Sequence, residues 1–281
     1  MAVLIKGKDL SAEIVENIRQ EVLNYDKKPT LTVIIVGNNP ASLVYVAKKK
    51  KTAEIAGFNS RVIELEESIS QEALEKQIEI LNQDKDINGI LVQLPLPKHI
   101  NTYDILEKIL PEKDTDGFHP INIGKLAIGL KPYAVSCTPY GIIKLLEKNN
   151  IEIEGKHAVI IGRSNIVGKP LSYLLLNRSA TVTVCHSKTK NLPEICLQAD
   201  ILIAAVGIPK FVKADWIKEG ATVIDVGINR TEDGKLVGDV DFAEAEKKAG
   251  YITPVPGGVG PMTIAMLLSN TLELFKLQNL F

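Results

Sequence analysis

The chain has 281 residues, about twice the usual domain size, so it forms one large domain or two ordinary domains with ample core. Its 45% hydrophobic and 24% charged residues are typical of a globular protein. A net charge of -1 supplies no overall field to hold a polyanion or an acidic membrane, so we do not expect nucleic acid to be the main partner. The three cysteines are too few and too scattered for a disulfide framework or a CxxC metal site, and they favour a reducing compartment.

Two segments indicate whether the protein is secreted or spans a membrane. Lys6, Lys8 and Asp9 leave no room for the apolar part of a secretory signal, so we expect a cytoplasmic location. The longest uncharged stretch, Ala249 to Leu272, is long enough to span a bilayer, but its first half is rich in proline and glycine. We therefore expect a loop in that half, a buried helix from Met262 onward, and no membrane partner.

Apolar runs of strand length alternate with helical patterns along the whole chain, which indicates the α/β class with mainly parallel sheets. The first half contributes three strands and two helices: strands at Leu31 to Gly37, Arg61 to Leu65 and Gly89 to Leu94, with helices at Pro40 to Ala56 and Ser70 to Asn82. Asn39 is placed to cap the first of these helices, Pro40 suits its first position, and Gly57 suits its end.

From Thr138 a second series begins with a helix, and its strands are separated by helix-compatible segments, as in a doubly wound nucleotide-binding sheet. The strands are HAVIIG (157–162), TVTVCHS (181–187), DILIAAVG (200–207) and ATVIDVG (221–227). The boundary is expected between Asp114 and Cys137. We predict a first domain of residues 1–137, completed by a C-terminal helix at about 262–281, and a Rossmann-like second domain of residues 138–261.

A glycine-containing turn joins the strand HAVII to the next helix. Gly162 and Gly168 are spaced G-x-x-x-x-x-G, so the usual G-x-G-x-x-G dinucleotide fingerprint is not met. The physical requirement for a phosphate site is still available, because a small residue allows the tight turn and the following helix N-terminus favours an anion. A purely structural strand-to-helix turn explains the glycines about as well.

The end of the next strand distinguishes the two nicotinamide cofactors. NAD-binding sheets usually place an Asp or Glu there for the ribose, whereas this chain has Ser187 and Lys188. Together with Arg163 in the preceding turn, these donors favour the extra phosphate of NADP. The alternative is that Arg163 and Lys188 are merely solvated loop charges.

Two polar positions in the first half are candidates for chemistry. Tyr45 and Lys49 are four residues apart on a helix and share one face, although a run of lysines at 48–51 more often covers a solvated surface. Gln93 interrupts an apolar strand just before Pro95 ends it, which places its side chain at the carboxyl end of that strand. A structural Gln that bonds to loop backbone is at least as probable from this pattern alone.

Other motifs are open to both structural and functional interpretation. Asp114 and Asp116 precede Gly117, a pattern that most often forms only a turn. In the segment TPVPGGVGPMT (253–263) the prolines restrict the backbone and the glycines leave it free. Because glycine has no side chain, this backbone can approach a ligand closely. The four histidines have no metal-ligand spacing, and we predict no metal. No GxSxG elbow or activated cysteine suggests covalent catalysis.

In combination, the motifs YVAKK, ILVQLPLP, DTDGFHP, GRSNIVGKP, DVGINR and PVPGGVGPMT occur in an order that resembles the bifunctional methylenetetrahydrofolate dehydrogenase/cyclohydrolase family. The resemblance covers essentially the whole chain, and LVQLPLP and PGGVGPMT are highly specific to the family. It implies a folate substrate, NADP as cofactor, and a homodimer formed through the cofactor domain. It further implies two activities in a cleft between the two domains: oxidation of 5,10-methylenetetrahydrofolate to the methenyl cation, and hydrolysis of that cation to 10-formyltetrahydrofolate.

The resemblance also implies roles for individual residues. Lys49 is expected to be the catalytic lysine, with Tyr45 beside it against the folate, Gln93 adjusting the lysine, and Asp116 holding the pterin ring. The residues expected to touch the cofactor are Gly162, Arg163, Ser164, Ser187 and Ile228. Residues 256–260, among them Pro256, Gly257 and Gly258, are expected to line the folate cleft. A neutral Gln suits a lysine that must give up its proton, since a carboxylate would stabilise the ammonium form.

Three other functions are alternatives to this one. A monofunctional dehydrogenase that has lost the hydrolase is the nearest, and the presence of Lys49 and Gln93 argues against it. A nucleotide-binding scaffold without turnover would be expected to have degraded motif residues, and none is degraded. A short-chain dehydrogenase is suggested by Tyr45-x-x-x-Lys49 but fails on order, because that family's Tyr and Lys follow the glycine turn.

Overall fold

A computed structural model describes residues 1–279. The described chain forms two compact units, each of which is discontinuous in sequence. One unit contains residues 1–12 and 136–263, and the other contains residues 13–135 with the described residues from Ile264 onward. We refer to them as the 136–263 unit and the 13–135 unit.

Strands and helices alternate along both units. The strands are β1 (Val3–Leu4), β2 (Thr30–Val36), β3 (Asn59–Leu65), β4 (Gly89–Val92), β5 (His157–Ile161), β6 (Thr181–Cys185), β7 (Ile201–Ala204), β8 (Thr222–Asp225), β9 (Asn229–Arg230), β10 (Leu236–Val237) and β11 (Tyr251–Ile252). The helices are α1 (Gly7–Val22), α2 (Pro40–Ile55), α3 (Gln71–Gln83), α4 (Thr102–Lys108), α5 (Pro120–Ala127), α6 (Cys137–Lys148), α7 (Gly168–Leu176), α8 (Leu192–Cys196), α9 (Phe242–Ala245) and α10 (Val259–Gln278), and a 3₁₀ turn covers Ala214–Trp216.

The 13–135 unit is built on a three-stranded parallel sheet in the order β3-β2-β4. All seven residues of the central strand β2 are buried, which explains its unbroken apolar sequence. Beyond β4, Asp114 forms a parallel bridge with Ile90, so the segment 113–115 extends the sheet by a short strand-like piece. The carboxyl ends of β2, β4 and this segment therefore meet at one edge.

The 136–263 unit contains a six-stranded parallel sheet in the order β1-β11-β8-β7-β5-β6. The strand order reverses beside β5, because β6 lies on one side of it and β7 on the other. Ligands of such sheets bind at the carboxyl ends of the strands near this reversal. A two-stranded antiparallel ribbon of β9 and β10 follows β8.

The predicted α/β class and its alternation of strands and helices are confirmed by this architecture. Asn39 caps α2 as expected, since its side chain accepts hydrogen bonds from the N–H groups of Ala41 and Ser42. The predicted start of the last helix at Met262 is wrong by one turn, because α10 begins at Val259. Pro261 fits there because the N–H groups of a first helical turn have no partner within the helix.

None of the helices among the described residues is both long and apolar enough to cross a membrane. The sheet cores are strongly apolar in contrast. Leu202, Ile203 and Val223 in the larger sheet are fully buried, as are Val33 and Ile34 in the smaller one. Replacing one of these side chains with Ala typically costs about 2–5 kcal/mol of folding free energy, so the sheets form rigid supports for the loops at their edges.

Candidate active site

Lys49 is distinguished from its lysine neighbours by burial. Only 6% of Lys49 is exposed, whereas Lys48, Lys50 and Lys51 are exposed. Asn39 and Pro40 set where α2 begins, and that start determines which lysine of the run faces the sheet. A lysine buried to this extent is rare unless it has a partner.

The partner of Lys49 is Gln93. The ammonium Nζ donates to Gln93 Oε1 at 3.0 Å across 44 positions in sequence. Gln93 is itself held in place, since its backbone N–H donates to the carbonyl of Ile34 at 2.8 Å and its Nε2 donates to the carbonyl of Leu94 at 2.7 Å. Among residues 1–279 no carboxylate forms an ion pair with Lys49, so its polar partner is a neutral amide.

Tyr45 lies one turn before Lys49 on α2. The Lys49 ammonium lies 5.7 Å from the centroid of the Tyr45 ring, within the range of a cation–π contact. Burial raises the pKa of the Tyr45 phenol above its ordinary value. The phenol is therefore protonated at neutral pH, and its hydroxyl can donate a hydrogen bond to a ligand.

Asp116 lies within a turn that is organised by the buried Asp114. The Asp114 carboxylate accepts hydrogen bonds from the N–H of Gly117 at 3.1 Å, the N–H of His119 at 2.8 Å and Nδ2 of Asn122 at 2.9 Å. Burial raises the pKa of Asp114, although these hydrogen bonds oppose the change. Asp114 is thus a structural residue, and it presents the half-buried Asp116 at the same sheet edge as Gln93.

Close backbone contacts surround the glycine turn after β5. A Cβ atom at Gly162 would overlap the carbonyl oxygen of Ala205, and one at Gly168 would overlap the carbonyl oxygen of Gly162. Ser164 caps the start of α7, where its Oγ accepts from the N–H of Val167 at 3.1 Å and, at 3.4 Å, from that of Gly168. The turn brings backbone close to the strand-order reversal, which is the requirement for a dinucleotide phosphate site.

Arg163 and Ser187 occupy equivalent positions on neighbouring strands. Ile161 pairs with Cys185 in the β5–β6 register, and each of the two polar residues lies two positions beyond that pair. Both side chains are exposed, as is Lys188, and no carboxylate follows β6 at this point. The pairing places a hydroxyl and two cations where an NAD-binding sheet has an acidic residue.

The remaining predicted residues also belong to the 136–263 unit. Ile228 follows β8 and is 52% exposed, and a Cβ at Gly260 would contact it. The carbonyl of Gly257 accepts from the N–H groups of Gly7 and Lys8 at 2.9 and 3.0 Å, and the Gly258 N–H donates to the Pro254 carbonyl at 2.8 Å. Pro256 at the tip of this loop is exposed.

The structure thus brings the predicted residues together in two groups. Lys49 contacts both Tyr45 and Gln93 in the 13–135 unit, and Asp116 lies at the same sheet edge. The group in the 136–263 unit consists of the turn and loop residues at the carboxyl ends of its strands: Gly162, Arg163, Ser164, Ser187, Ile228, Pro256, Gly257 and Gly258. Across residues 1–279 no three His, Cys, Asp or Glu side chains are arranged to hold a metal ion.

Two family models match the sequence. The catalytic-domain model of tetrahydrofolate dehydrogenase/cyclohydrolase matches residues 5–116, and the NAD(P)-binding-domain model of the same family matches residues 136–279. The chain belongs to the tetrahydrofolate dehydrogenase/cyclohydrolase family. The resemblance inferred from the sequence motifs is therefore confirmed.

Relatives of this family match nearly the whole chain. The bifunctional protein FolD of Caldicellulosiruptor saccharolyticus is 58% identical and aligns over 96% of this chain and 99% of its own. The crystal structure of the bifunctional enzyme FolD from Campylobacter jejuni has a TM-score of 0.96 at 53% identity, covering 98% of this chain and 99% of its own. A Trypanosoma brucei methylenetetrahydrofolate dehydrogenase-cyclohydrolase, solved with NADP cofactor and an inhibitor, has a TM-score of 0.94 at 43% identity, covering 98% of this chain and 97% of its own.

The donor set of the 136–263 unit fits the cofactor of the family. The overlap that any side chain would cause at Gly162 and Gly168 leaves space only for backbone next to a ligand. Arg163 and Ser187 carry a cationic and a hydroxyl donor, the kinds of group that bind phosphate. Ser187 and Lys188 after β6 favour NADP over NAD, and so does the lack of a carboxylate at that point.

Two residues of this family member were missed by sequence reasoning. Asp225 and Asp239 are almost completely buried. Their carboxylates accept hydrogen bonds from N–H groups of loops next to the predicted cofactor residues. Asp225 lies inside the predicted strand ATVIDVG, where a charged residue in an apolar run was a usable signal. No local pattern marks Asp239.

Proposed function

We propose that this chain oxidises 5,10-methylenetetrahydrofolate with NADP and then hydrolyses the methenyl product to 10-formyltetrahydrofolate, with Lys49 and Gln93 as the residues that serve the hydrolysis. Membership of the family over the whole chain supports both activities. The observation that carries the residue assignment is the hydrogen bond from the buried Lys49 ammonium to the neutral Gln93 amide. A family member without the hydrolase would have no need of this pair.

The first reaction requires binding and orientation more than acid–base chemistry. Bound NADP supplies the acceptor for the hydride that leaves the methylene carbon. In this proposal the exposed Arg163 and Ser187 bind the ribose phosphate, and Gly162, Ser164 and Ile228 contact other parts of the cofactor. No proton is transferred at the carbon being oxidised, so none of these residues has to act as an acid or a base.

The second reaction requires proton transfer. Water adds to the methenyl carbon, and the added oxygen loses both of its protons as it becomes the formyl oxygen. The bond from that carbon to N5 breaks as N5 takes up one proton, and the other proton is released. Lys49 Nζ is the group assigned to this proton movement. Gln93 Oε1 accepts from Lys49 Nζ, so a neutral amide orients the group assigned to the proton transfer.

In this proposal Tyr45 and Asp116, the other predicted residues of the 13–135 unit, bind the folate. The neutral phenol of Tyr45 contacts the substrate next to Lys49, and the Asp116 carboxylate accepts hydrogen bonds from the amino group and ring nitrogen of the pterin. The loop containing Pro256, Gly257 and Gly258 contributes backbone to the folate site. Its attachment to Gly7 and Lys8 by hydrogen bonds supports a fixed position for that loop within its unit.

The domain assignment, assembly and location belong to the proposal as well. Residues 1–137 with 262–281 are assigned to the folate and residues 138–261 to NADP, although residues 1–12 belong to the compact unit that contains residues 136–263. Positions 280 and 281 lie outside the described residues. We infer a homodimer through the NADP-binding part of the chain and a cytoplasmic location. Support for the location comes from the cysteines, since Cys137, Cys185 and Cys196 are buried and unbridged, as a reducing compartment allows.

An ultraviolet assay of the purified protein tests the proposed function. Methylenetetrahydrofolate is supplied with NADP or with NAD, and methenyltetrahydrofolate absorbance is followed as it forms and then decays. Formation that is faster with NADP, followed by protein-dependent decay, is the expected result. Formation without protein-dependent decay would indicate a monofunctional dehydrogenase, and no formation with either cofactor would contradict the proposal.

A further inference from the structure

Asp239 connects two loops at the carboxyl edge of the larger sheet. None of this residue is exposed. Its Oδ2 accepts hydrogen bonds from the N–H groups of Val206 at 2.6 Å and Gly207 at 2.9 Å, in the turn after β7. Its Oδ1 accepts from Nδ2 of Asn229 at 2.9 Å, in the segment after β8. A single buried carboxylate therefore ties the turn after β7 to the turn after β8.

A second carboxylate holds Asp239 itself. Asp225, at the end of β8, accepts from the N–H of Asp239 at 2.8 Å, from the N–H of Gly227 at 2.9 Å and from the N–H of Val240 at 2.9 Å. The surroundings leave no space for adjustment, since a Cβ at Gly227 would overlap the Asp239 carboxylate and one at Gly238 would overlap that of Asp225. The two loops and the two carboxylates form one rigid connection.

The connected loops lie where a ligand of this sheet is expected. β7 ends at Ala204, next to β5, so Val206 and Gly207 begin beside the strand-order reversal. The turn after β8 contains Ile228, which is exposed. Ligands bind at the carboxyl ends of the strands at such a reversal. The Asp239 carboxylate is completely buried, so it acts on this region only through the loops that it holds.

We propose that Asp239 is a positioning residue for cofactor binding, which it serves by fixing the turns after β7 and β8 relative to each other. This inference rests on the proposed function, because it assumes that NADP is the ligand of the 136–263 unit. A carboxylate suits the position because all three of its partners are donors and it accepts only. The hydrogen bonds made by the carboxylate, and not its volume alone, maintain the loop geometry.

The chemistry of Asn229 provides a conservative variant. In Asp239→Asn, the new amide oxygen can accept from Val206 and Gly207, and the new NH₂ group can donate to Asn229 once the Asn229 amide turns over. All three connections can therefore be rebuilt. In Asp239→Ala none can be rebuilt, and two backbone N–H groups lose their acceptor. The two variants separate a positioning role from a general effect on packing.

The test measures NADPH binding directly, by fluorescence at equilibrium, on the full chain. Loss of hydrogen bonds to a buried charged acceptor typically weakens an interaction at least tenfold, so we expect Asp239→Ala to raise the Kd for NADPH by about tenfold or more. Asp239→Asn should stay within about threefold of the unchanged protein. The KM for cofactor-free hydrolysis of methenyltetrahydrofolate should be unchanged in both, because Lys49 and Gln93 lie in the other unit and the Asp239 carboxylate bonds to Val206, Gly207 and Asn229, not to the loop at 256–258.

Asp200→Asn is the matched control. Asp200 also accepts a backbone N–H, from His157 at 2.9 Å, but it lies just before β7, at the amino edge of the same sheet. It should leave the NADPH Kd unchanged. If Asp239→Ala does not fold, as judged by circular dichroism, Asn229→Ala takes its place, because it removes the 2.9 Å connection and leaves Asp239 with its two backbone partners.

The outcomes separate the inference from the function on which it rests. Folded Asp239→Ala or its substitute Asn229→Ala with an unchanged NADPH Kd would overturn the positioning role, as would an Asp239→Asn variant that binds as poorly as Asp239→Ala. Parallel loss of hydrolysis in these variants would also overturn it, since the damage would then be general. Failure of the unchanged protein to bind NADPH would instead contradict the proposed function.

Discussion

Gly162 and Ala205 approach so closely that a Cβ atom on the glycine would overlap the alanine carbonyl oxygen. Gly162 follows β5 and has a positive φ of 126°, and Ala205 follows the neighbouring strand β7. The contact closes the gap between two strands at the point where the strand order reverses. It explains physically why a glycine is needed at this position, whatever ligand binds there.

Gly162→Ala is expected to lower both stability and NADP affinity. The added methyl group meets backbone that cannot move aside, and the positive φ adds strain, so the loss of folding free energy should be about 2 kcal/mol or more. Urea unfolding measures this change. Gly155→Ala is the control, because Gly155 also has a positive φ of 71° but nothing lies near its added Cβ. An equal loss in both variants would show that the Ala205 contact is unimportant.

Lys49→Met is expected to abolish hydrolysis of methenyltetrahydrofolate while some hydride transfer remains. The variant keeps the length and apolar contacts of the side chain but removes the group that moves the proton, a contribution of about 10²- to 10⁴-fold in rate for general acid–base groups. Separate assays of methenyl formation and methenyl decay measure the two activities. Lys48→Met serves as the control because Lys48 is exposed on the same helix. Unaltered hydrolysis in Lys49→Met would remove Lys49 from its assigned role.

Arg163→Ala is expected to weaken NADP far more than NAD. Arg163 is exposed after β5, next to the strand that Ser187 follows, and the proposal places the phosphate carried only by NADP there. A hydrogen bond to a charged group is worth about 1.5–3 kcal/mol, or at least tenfold in affinity. Titration calorimetry with each cofactor measures the change. Lys247→Ala is a control for net charge, since Lys247 pairs with Glu244 and lies shortly before β11, near the amino ends of the strands. Equal losses for both cofactors would argue against phosphate recognition by Arg163.

The buried Asp225 carboxyl is expected to make the free energy of unfolding depend on pH. Burial raises the pKa of the Asp225 carboxyl from 3.8 to about 6, so the folded chain binds this proton more tightly than the unfolded chain. The stabilising contribution is fully present below about pH 4 and is lost as pH rises through about 6. The free-energy cost of Asp225→Asn should therefore be larger at pH 4.5 than at pH 7.5, by about 2 kcal/mol, because each pKa unit corresponds to about 1.4 kcal/mol.

Urea unfolding of both proteins between these pH values measures this cost, and Asp200 provides a control of opposite sign. A hydrogen bond from Lys218 lowers the pKa of Asp200, so its contribution is present at neutral pH and is lost as pH falls. The cost of Asp200→Asn should therefore grow as pH rises. A cost of Asp225→Asn that also grew with pH would contradict the assignment of a raised pKa to Asp225.

Some parts of the fold were predictable because their causes are local. Asn39 and Pro40 start α2 through hydrogen bonds and a φ restriction that involve only neighbouring residues. The strand at 30–36 was predictable because burial on both faces requires an apolar side chain at nearly every position. The early start of α10 at Val259 was missed because proline and glycine are typical of loops and are also tolerated in a first helical turn.

The candidate site was only partly predictable. Tyr45, Lys49 and Gln93 were selected from spacing and family motifs, but spacing alone left Lys48 and Lys50 as alternatives to Lys49. Burial and the 3.0 Å contact with Gln93 separate Lys49 from them, and that contact joins positions 44 residues apart. The connection between Asp225 and Asp239 was missed for the same reason, since a carboxylate in an apolar run does not reveal which distant N–H groups it will bind.

The sequence by itself determined the α/β alternation, the main helices and the family, because periodicity, capping and motif order are properties of neighbouring residues. Tertiary structure decided which lysine of the run is buried, that the buried Asp114 organises a loop, and which two turns share one carboxylate. These features depend on contacts between strands and loops that are distant in sequence. Their energies come from burial and from hydrogen-bond geometry, which exist only once the sheets have formed.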